Sequence, residues 1–281
     1  MTHEYITHED IKAFSTTRHG GVSRGAYASF NANHYCGDEP ENVAKNRTLL
    51  CERLGIDEGR LIVPHQTHKT VTRIIDEEFL ALSAEEQKEA LEGVDAVCTN
   101  MKDVCVCVST ADCIPILLYD ETSGVISAVH AGWRGTVARI VEENIKVLIS
   151  RYGIKAENLH AIIGPGISLE AFEVGDEVFK DPLWALPISP VEGERLRAVD
   201  EHWEAVCKRF PSKCDRGWRW HIDLPLCNKL QLMNMGVKEE NIFMSGICTY
   251  NNSEDFFSAR KLGINSGRIL NGIVRKELKR L

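Results

Sequence analysis

Basic residues are in short supply in this 281-residue chain: 33 Lys and Arg stand against 41 Asp and Glu, a formal net charge of −8. With no long basic block either, the chain offers no electrostatic footprint for a phosphate backbone, and nucleic acid is not expected as a partner. Long apolar runs are lacking too, since none approaches the ~18 residues that a membrane helix needs. The opening stretch MTHEYITHEDIKAF has neither the basic start nor the apolar run of an export signal. The expected location is therefore the cytoplasm, away from the membrane. Internal repeats, low-complexity tracts and Gly/Ser linkers are missing, so the simplest organisation is one domain over 1–281.

Several familiar chemical signatures are also absent. Gly164-Pro-Gly166 lacks the third glycine of a dinucleotide loop, and no Walker loop is present. His3 and His8 enclose HEYITH, one residue too long for the HExxH zinc helix. GVSRG at 21–25 has no buried strand before it, which removes the setting a nucleophile elbow needs. His202-Trp-Glu204 is not followed by PCxxC, so the usual zinc nucleobase-deaminase architecture is not expected.

What is present is a chain with 43% hydrophobic residues, enough for a full core, and ten cysteines of irregular spacing. Without an export signal these read as reduced thiols, and the N-x-S/T matches at Asn46 and Asn251 read as chance. Pro40 to Leu54 is predicted as a helix with Val43, Leu49, Leu50 and Leu54 on one face. Ser83 and Glu86 form a capping box for a short helix ending near Gly93. From Thr136 to Tyr152 apolar residues recur at helical spacing until Gly153. Strands are predicted at Leu61 to Val63, Val104 to Val108, Ile114 to Tyr119, Val125 to Val129, Ala161 to Ile163 and Ile242 to Ile247. Cys105 and Cys107 alternate in VCVCV and should share one strand face inside the core. Interleaved strands and helices point to a mixed α/β or α+β fold.

The turn DETSG between two of these strands predicts a hairpin. An antiparallel hairpin brings Cys113, just before its first strand, beside His130, just after its second. Metal-binding side chains next to turns occur in PHQTH at 64–68, STADC at 109–113 and HAGWRG at 130–135. Two imidazoles and a thiolate suit zinc with its fourth position open. His65 and His68 are three apart, so in extended chain one of them faces away and a single ligand is expected from this segment.

The segments STTRHGGVS, GDEPENVAKNR, HQTH, STADCIPILL, HAGWRG, GPGIS and FFSARKLGINSGR, in this order from Ser15 to Arg268, resemble the YfiH-like family of laccase-domain, or polyphenol-oxidase-type, purine nucleoside phosphorylases. The resemblance maps the metal ligands onto His68, Cys113 and His130. It implies an α+β fold, a single layered domain with mixed sheets flanked by helices. It also implies zinc-dependent phosphorolysis of adenosine, inosine and related purine nucleosides such as methylthioadenosine, with adenosine deamination as a second activity. Purine nucleosides and phosphate would then be the partners. Here the run Asn31-Ala-Asn-His-Tyr has Ala32 and Tyr35 where the family commonly has Leu and His.

On the chemical side, zinc would act as a Lewis acid towards the base. Asp112, beside a ligand, is the nearest proton carrier or orienting group. Arg47 matches the family position associated with substrate and suits phosphate oxygens; Arg18, beside Gly20 and Gly21, and Arg260 are further cations for the anion. Asn31 is a ribose contact, and Trp133 a surface for a purine or a packing residue. Two other readings of the same residues stand beside this one. Cys113 as a nucleophile activated by His130 would make a thiol hydrolase or amidase, for example on cell-wall precursors. Thiolate and imidazole also bind copper, as a copper-dependent polyphenol oxidase would require. The acidic segment from Pro190 to Trp220 carries no motif and reads as a surface elaboration or partner contact.

Overall fold

Two β-sheets lie face to face and separate two groups of helices. The computed structural model describes residues 1–175, 178, 205–211 and 217–277. The first sheet has five strands: β1 (Thr2–Tyr5), β2 (Ile11–Thr16), β3 (Leu61–Ile62), β6 (Cys105–Thr110) and β14 (Ile269–Arg275), in spatial order β1-β2-β14-β6-β3. The second has six: β4 (Thr72–Ile74), β5 (Ala96–Thr99), β7 (Ile114–Asp120), β8 (Val125–Ala131), β9 (His160–Ile163) and β13 (Ile242–Met244), in order β13-β9-β7-β8-β5-β4. Both are mixed: β3–β6, β4–β5 and β9–β13 pair parallel, and the remaining pairs antiparallel. A third, small antiparallel sheet of β10 (Glu173–Val174), β11 (Cys207–Pro211) and β12 (Trp218–Ile222) packs Val174, Cys207 and Ile222 into the core of the six-stranded sheet. Of the segment 190–220, only 205–211 and 217–220 are among the described residues, and they supply β11 and the start of β12.

Helices with described bounds are α1 (Pro40–Leu54), α2 (Glu77–Ala81), α3 (Ala84–Ala90), α4 (Trp133–Val137), α5 (Ile140–Tyr152), α6 (Leu224–Asn234) and α7 (Ala259–Leu262). The period-2 alternation of strand side chains sorts the core into layers. Leu117 and Tyr119 of β7, Ile126 and Ala128 of β8 and Val106 and Val108 of β6 fill the space between the sheets. Ile114, Ile116 and Leu118 turn the other way, onto Ile145 and Leu148 of α5 and Leu232 of α6. Cys105 and Cys107 share the opposite face of β6, as expected, packed with Leu50, Cys51 and Leu54 of α1. Strands covered on both faces read as unbroken apolar runs, which is why IPILLY shows no polar alternation. The result is the α+β class in layers, mixed sheets flanked by helices. Among the described residues no helix is long and apolar enough to cross a membrane.

Helix α1 has the predicted bounds and ends on Gly55 at φ 64°. The Ser83 and Glu86 capping box is formed, with Ser83 N–H donating to the Glu86 carboxylate at 2.8 Å and Glu86 N–H to Ser83 Oγ at 3.3 Å. The helix predicted over 136–152 is two helices, because Arg139 sits in the left-handed region at φ 62°. Apolar spacing continues across the break, since Val137, Ile140 and Val141 are all buried, so periodicity alone does not register it. The strand predicted from Ile242 stops at Met244: Ser245 N–H closes onto Ile163 O and Gly246 turns at φ 66°.

Candidate metal centre and its cleft

Two loops and the end of β8 bring His68, Cys113 and His130 together at one end of the sheet sandwich. The β7–β8 hairpin does part of this: Pro115 pairs with His130 and Ile114 with Ala131, which sets Cys113 beside His130. His68 comes from the loop after β3. It is held at φ 62°, a conformation His adopts more readily than most residues. One ligand atom from each of the three lies within 4.8 Å of the others. His68 Nε2 is 3.9 Å from Cys113 Sγ, and the two imidazoles meet edge to face with centroids 4.9 Å apart. Donors around one tetrahedral zinc lie roughly 3.5 Å apart, so two nitrogens and a sulfur at these separations fit that ion with little movement. Gly132 keeps the space open. A Cβ there would stand 2.9 Å from His68 Cδ2 and 3.0 Å from Cys113 Sγ.

A buried carboxylate organises the corner. Asp95 has no exposed surface. It accepts from the backbone N–H groups of Thr67, His68 and Lys69 at 3.2, 2.9 and 2.8 Å, and from His130 Nδ1 at 2.8 Å. A carboxylate so placed can only accept, so the imidazole proton sits on Nδ1 and Nε2 is left as the ligand atom. Burial pushes Asp95 up, but the His130 hydrogen bond and charge and the backbone donors outweigh it and hold the carboxyl below its usual range. Burial likewise pushes the Cys113 thiol up. The charge of His130 and the hydrogen bonds of His130 and His68 win and bring it down to about 6. For His130, burial favours the neutral ring, yet the Cys113 thiolate and Asp95 raise it to about 9. The corner therefore carries a ready thiolate, the form that binds metal.

The three side chains open onto a cleft of about 320 Å³, at the small end of the range for sites that bind compact organic ligands. Gln66 joins two of its walls: its amide donates to Ser109 O at 2.8 Å and accepts from Ser109 N–H at 2.7 Å. Among the described residues, Arg268 is the one arginine or lysine lining it. His65 lines the same cleft but is not in this group; its Nδ1 bonds Glu92 at 2.7 Å. His68 is at φ 62°, so the segment is not the extended chain from which a single facing histidine is expected.

Of the other predicted site residues, none lines the cleft. Asp112, at φ 95°, has both oxygens occupied, by Thr249 Oγ1 and by Arg260 N–H, each at 2.7 Å. Arg260 extends to Glu173 O and over the Phe172 ring. Arg18 donates to Ala28 O and Ser253 O and lies 5.0 Å over Phe257. Asn31 is fully buried and binds Asp38 and Arg268 N–H. Arg47 donates to Leu61 O, while its Nη1 is buried without a partner; its charge is felt at His34 and Tyr35. Trp133 packs on the helix side of the six-stranded sheet with Arg134 over its ring. The sequence patterns passed over Asp95, Tyr35, Gly132 and Arg268. For Asp95 a signal exists: a single carboxylate inside the apolar run Val94 to Val97 has to be paired if it is buried.

The chain is similar to known proteins along nearly its whole length. The chain is 41% identical over 268 residues to a purine nucleoside phosphorylase of Bacteroides thetaiotaomicron, covering 95% of this chain and 93% of that protein. It is 39% identical to an adenosine deaminase from an unknown prokaryotic organism, covering 95% of each. Among solved structures, YlmD from Geobacillus stearothermophilus superposes with a TM-score of 0.80 at 29% identity, over 96% of this chain and 93% of that one. A hypothetical protein YfiH of Bacillus licheniformis does so with a TM-score of 0.80 at 25% identity, over 95% and 93%. Residues 12–276 match the family described as multi-copper polyphenol oxidoreductase laccase, the family to which this chain belongs.

Proposed function

We propose that the protein is a zinc-dependent enzyme of purine nucleosides, cleaving the N-glycosidic bond with inorganic phosphate and also deaminating adenosine. The observation that carries this reading is the His68, Cys113, His130 corner opening onto a nucleoside-sized cleft, in a chain similar along nearly its whole length to proteins named for these two activities. Zinc held there would supply a Lewis acid at the cleft floor.

The chain's own residues then have distinct tasks. Asp95 fixes the tautomer of His130 and the backbone of the His68 loop at once. Cys113 gives up its proton at neutral pH. Arg268, in the cleft wall, has Nη1 and Nη2 bonded to Ser266 O, Gly267 O and Ile264 O and would turn from these carbonyls to the phosphate, for which a guanidinium provides paired donors. Arg47 adds positive potential from behind that wall, and its unpartnered Nη1 is the donor it would turn towards an anion. Asp112 acts as a positioning residue. By bonding Thr249 and Arg260 N–H it ties the Cys113 loop to the loops at 249 and 260, and Arg18, Arg260 and Asn31 brace the same end of the fold.

The test is to incubate the pure protein with adenosine, inosine and phosphate, with and without a chelator, and to resolve the products by chromatography. Free base with ribose phosphate, lost on chelation and restored by zinc, is the expected result. Free ribose would redirect the reading to hydrolysis, and no turnover of either nucleoside would sink it. A second reading, Cys113 as a nucleophile in a thiol hydrolase, draws on the lowered thiol; such an enzyme would survive the chelator and die on alkylation. For a laccase, the described residues contain a single His/Cys/Asp/Glu group able to hold a metal, where multi-copper oxidation needs several.

A further inference from the structure

One wall of the cleft has no part in metal binding. Tyr35 and His65 stack there, with ring centroids 4.3 Å apart at 21°, and both line the cleft. Each ring is firmly held. Glu92 accepts from His65 Nδ1 through both oxygens at 2.9 and 2.7 Å, while His65 N–H donates to Leu91 O and His65 O accepts from Gly93 N–H. Tyr35 N–H donates to Asn33 Oδ1 at 2.5 Å, and Asn33 in turn donates to Ser109 Oγ at 2.6 Å. An aromatic pair fixed in this way loses little freedom when a flat ligand lies on it. Ile264 lines the same cleft and is 76% exposed, an apolar side chain left in water that a ring face would cover.

The amides beside the stack are already engaged. Gln66 gives its N–H to Ser109 O, and its oxygen accepts from Ser109 N–H and Oγ; Asn33 uses both ends of its amide. The wall thus offers π-surface, and each of these two amides has its oxygen and one of its two N–H groups already committed within the protein. Stacking of this kind accepts every purine, because adenine and hypoxanthine differ at an edge and share a face. A pyrimidine covers less of the surface.

Resting on the nucleoside reading above, we propose that the Tyr35–His65 pair is the platform for the purine ring, with Ile264 over its other face. It sets the preference for purine over pyrimidine nucleosides and leaves adenosine and inosine on equal terms.

The experiment measures kcat and KM of the zinc-loaded protein for adenosine, inosine and uridine with phosphate, together with calorimetric binding of free adenine and hypoxanthine. Tyr35→Ala is expected to raise KM for both purine nucleosides by the same factor, about ten- to a hundredfold, with kcat largely kept. Base binding weakens in parallel and the advantage over uridine shrinks by that factor. Tyr35→Phe, which restores the ring, is expected to reverse most of the rise in KM caused by Tyr35→Ala. Ile264→Ser, at an exposed position that does not threaten folding, raises both KM values several-fold. The platform is overturned, with the nucleoside reading intact, if the wild type is active and Tyr35→Ala and Ile264→Ser leave KM unchanged. A shift of the adenosine-to-inosine ratio by more than about threefold in Tyr35→Ala overturns it as well. A wild type that turns over none of the three nucleosides overturns both.

Discussion

Cys113 and the pair Cys105 and Cys107 are separated by a few residues of chain and have opposite chemistry. Cys105 and Cys107 lie in β6 with their sulfurs 3.5 Å apart, between the five-stranded sheet and α1. Burial pushes Cys105 well up, and its thiol neighbours push it further; Cys98, equally enclosed, stands at about 12. Burial acts in the same direction on Cys113, yet that thiol ends at about 6 because its neighbours are imidazoles. A thiol becomes a ligand through what surrounds it. Depth alone makes it inert.

The widest expected contrast is in alkylation of the metal-free protein. At pH 7, iodoacetamide should modify Cys113 at least about a thousandfold faster than Cys105 or Cys107, with half-maximal rate near pH 6, read by peptide mass spectrometry. Equal rates would erase the contrast. The same shifts fix the sign of the linkage in the metal-free protein. Cys113, depressed from 9.0 to about 6, contributes stability that is complete above pH 9 and lost as pH falls through 6. His130, raised from 6.5 to about 9, contributes stability complete below pH 6.5 and lost as pH rises through 9. The thiolate–imidazolium pair accordingly holds from about pH 6 to about pH 9.

Cys113→Ala comes next: zinc content by mass spectrometry and activity should both fall by more than about a hundredfold with circular dichroism unchanged. Asp95→Asn should weaken zinc by about ten- to a hundredfold, and with it thermal stability, since three backbone donors rest on that carboxylate. Gly132→Ala, which crowds His68 and Cys113, should weaken zinc by roughly tenfold without lowering the melting temperature much. Smallest is Cys107→Ala on the inert side, a loss of about 1–2 kcal/mol in chemical denaturation with zinc binding intact. A Cys107 variant that lost zinc would break the comparison.

Local signals foretold much of this arrangement. The hairpin places Cys113 beside His130 because its turn and two flanking runs are contiguous, and the capping box at Ser83 is a four-residue event. What escaped is long-range or conformational. β14 lies between β2 and β6, pairing Gly272 with Phe14 and Cys107; a glycine is needed there because a Cβ would stand 2.6 Å from each of those side chains, a crowding that exists only once the sheet has formed. The break at Arg139 depends on one backbone dihedral that apolar spacing does not sense. For the site, choosing His68 over His65 took family resemblance. Tyr35 and Arg268 enter the cleft from segments far apart in the chain, with nothing in either to announce a shared surface.

Because one carboxylate serves both the ring of His130 and the peptide groups around His68, the two nitrogen donors share a single fate. Whatever withdraws Asp95 frees the loop and lets the imidazole turn in the same event, so one change at that carboxylate disturbs both histidines at once. Uptake and loss of the ion should accordingly be timed by the escape of a side chain that never touches it.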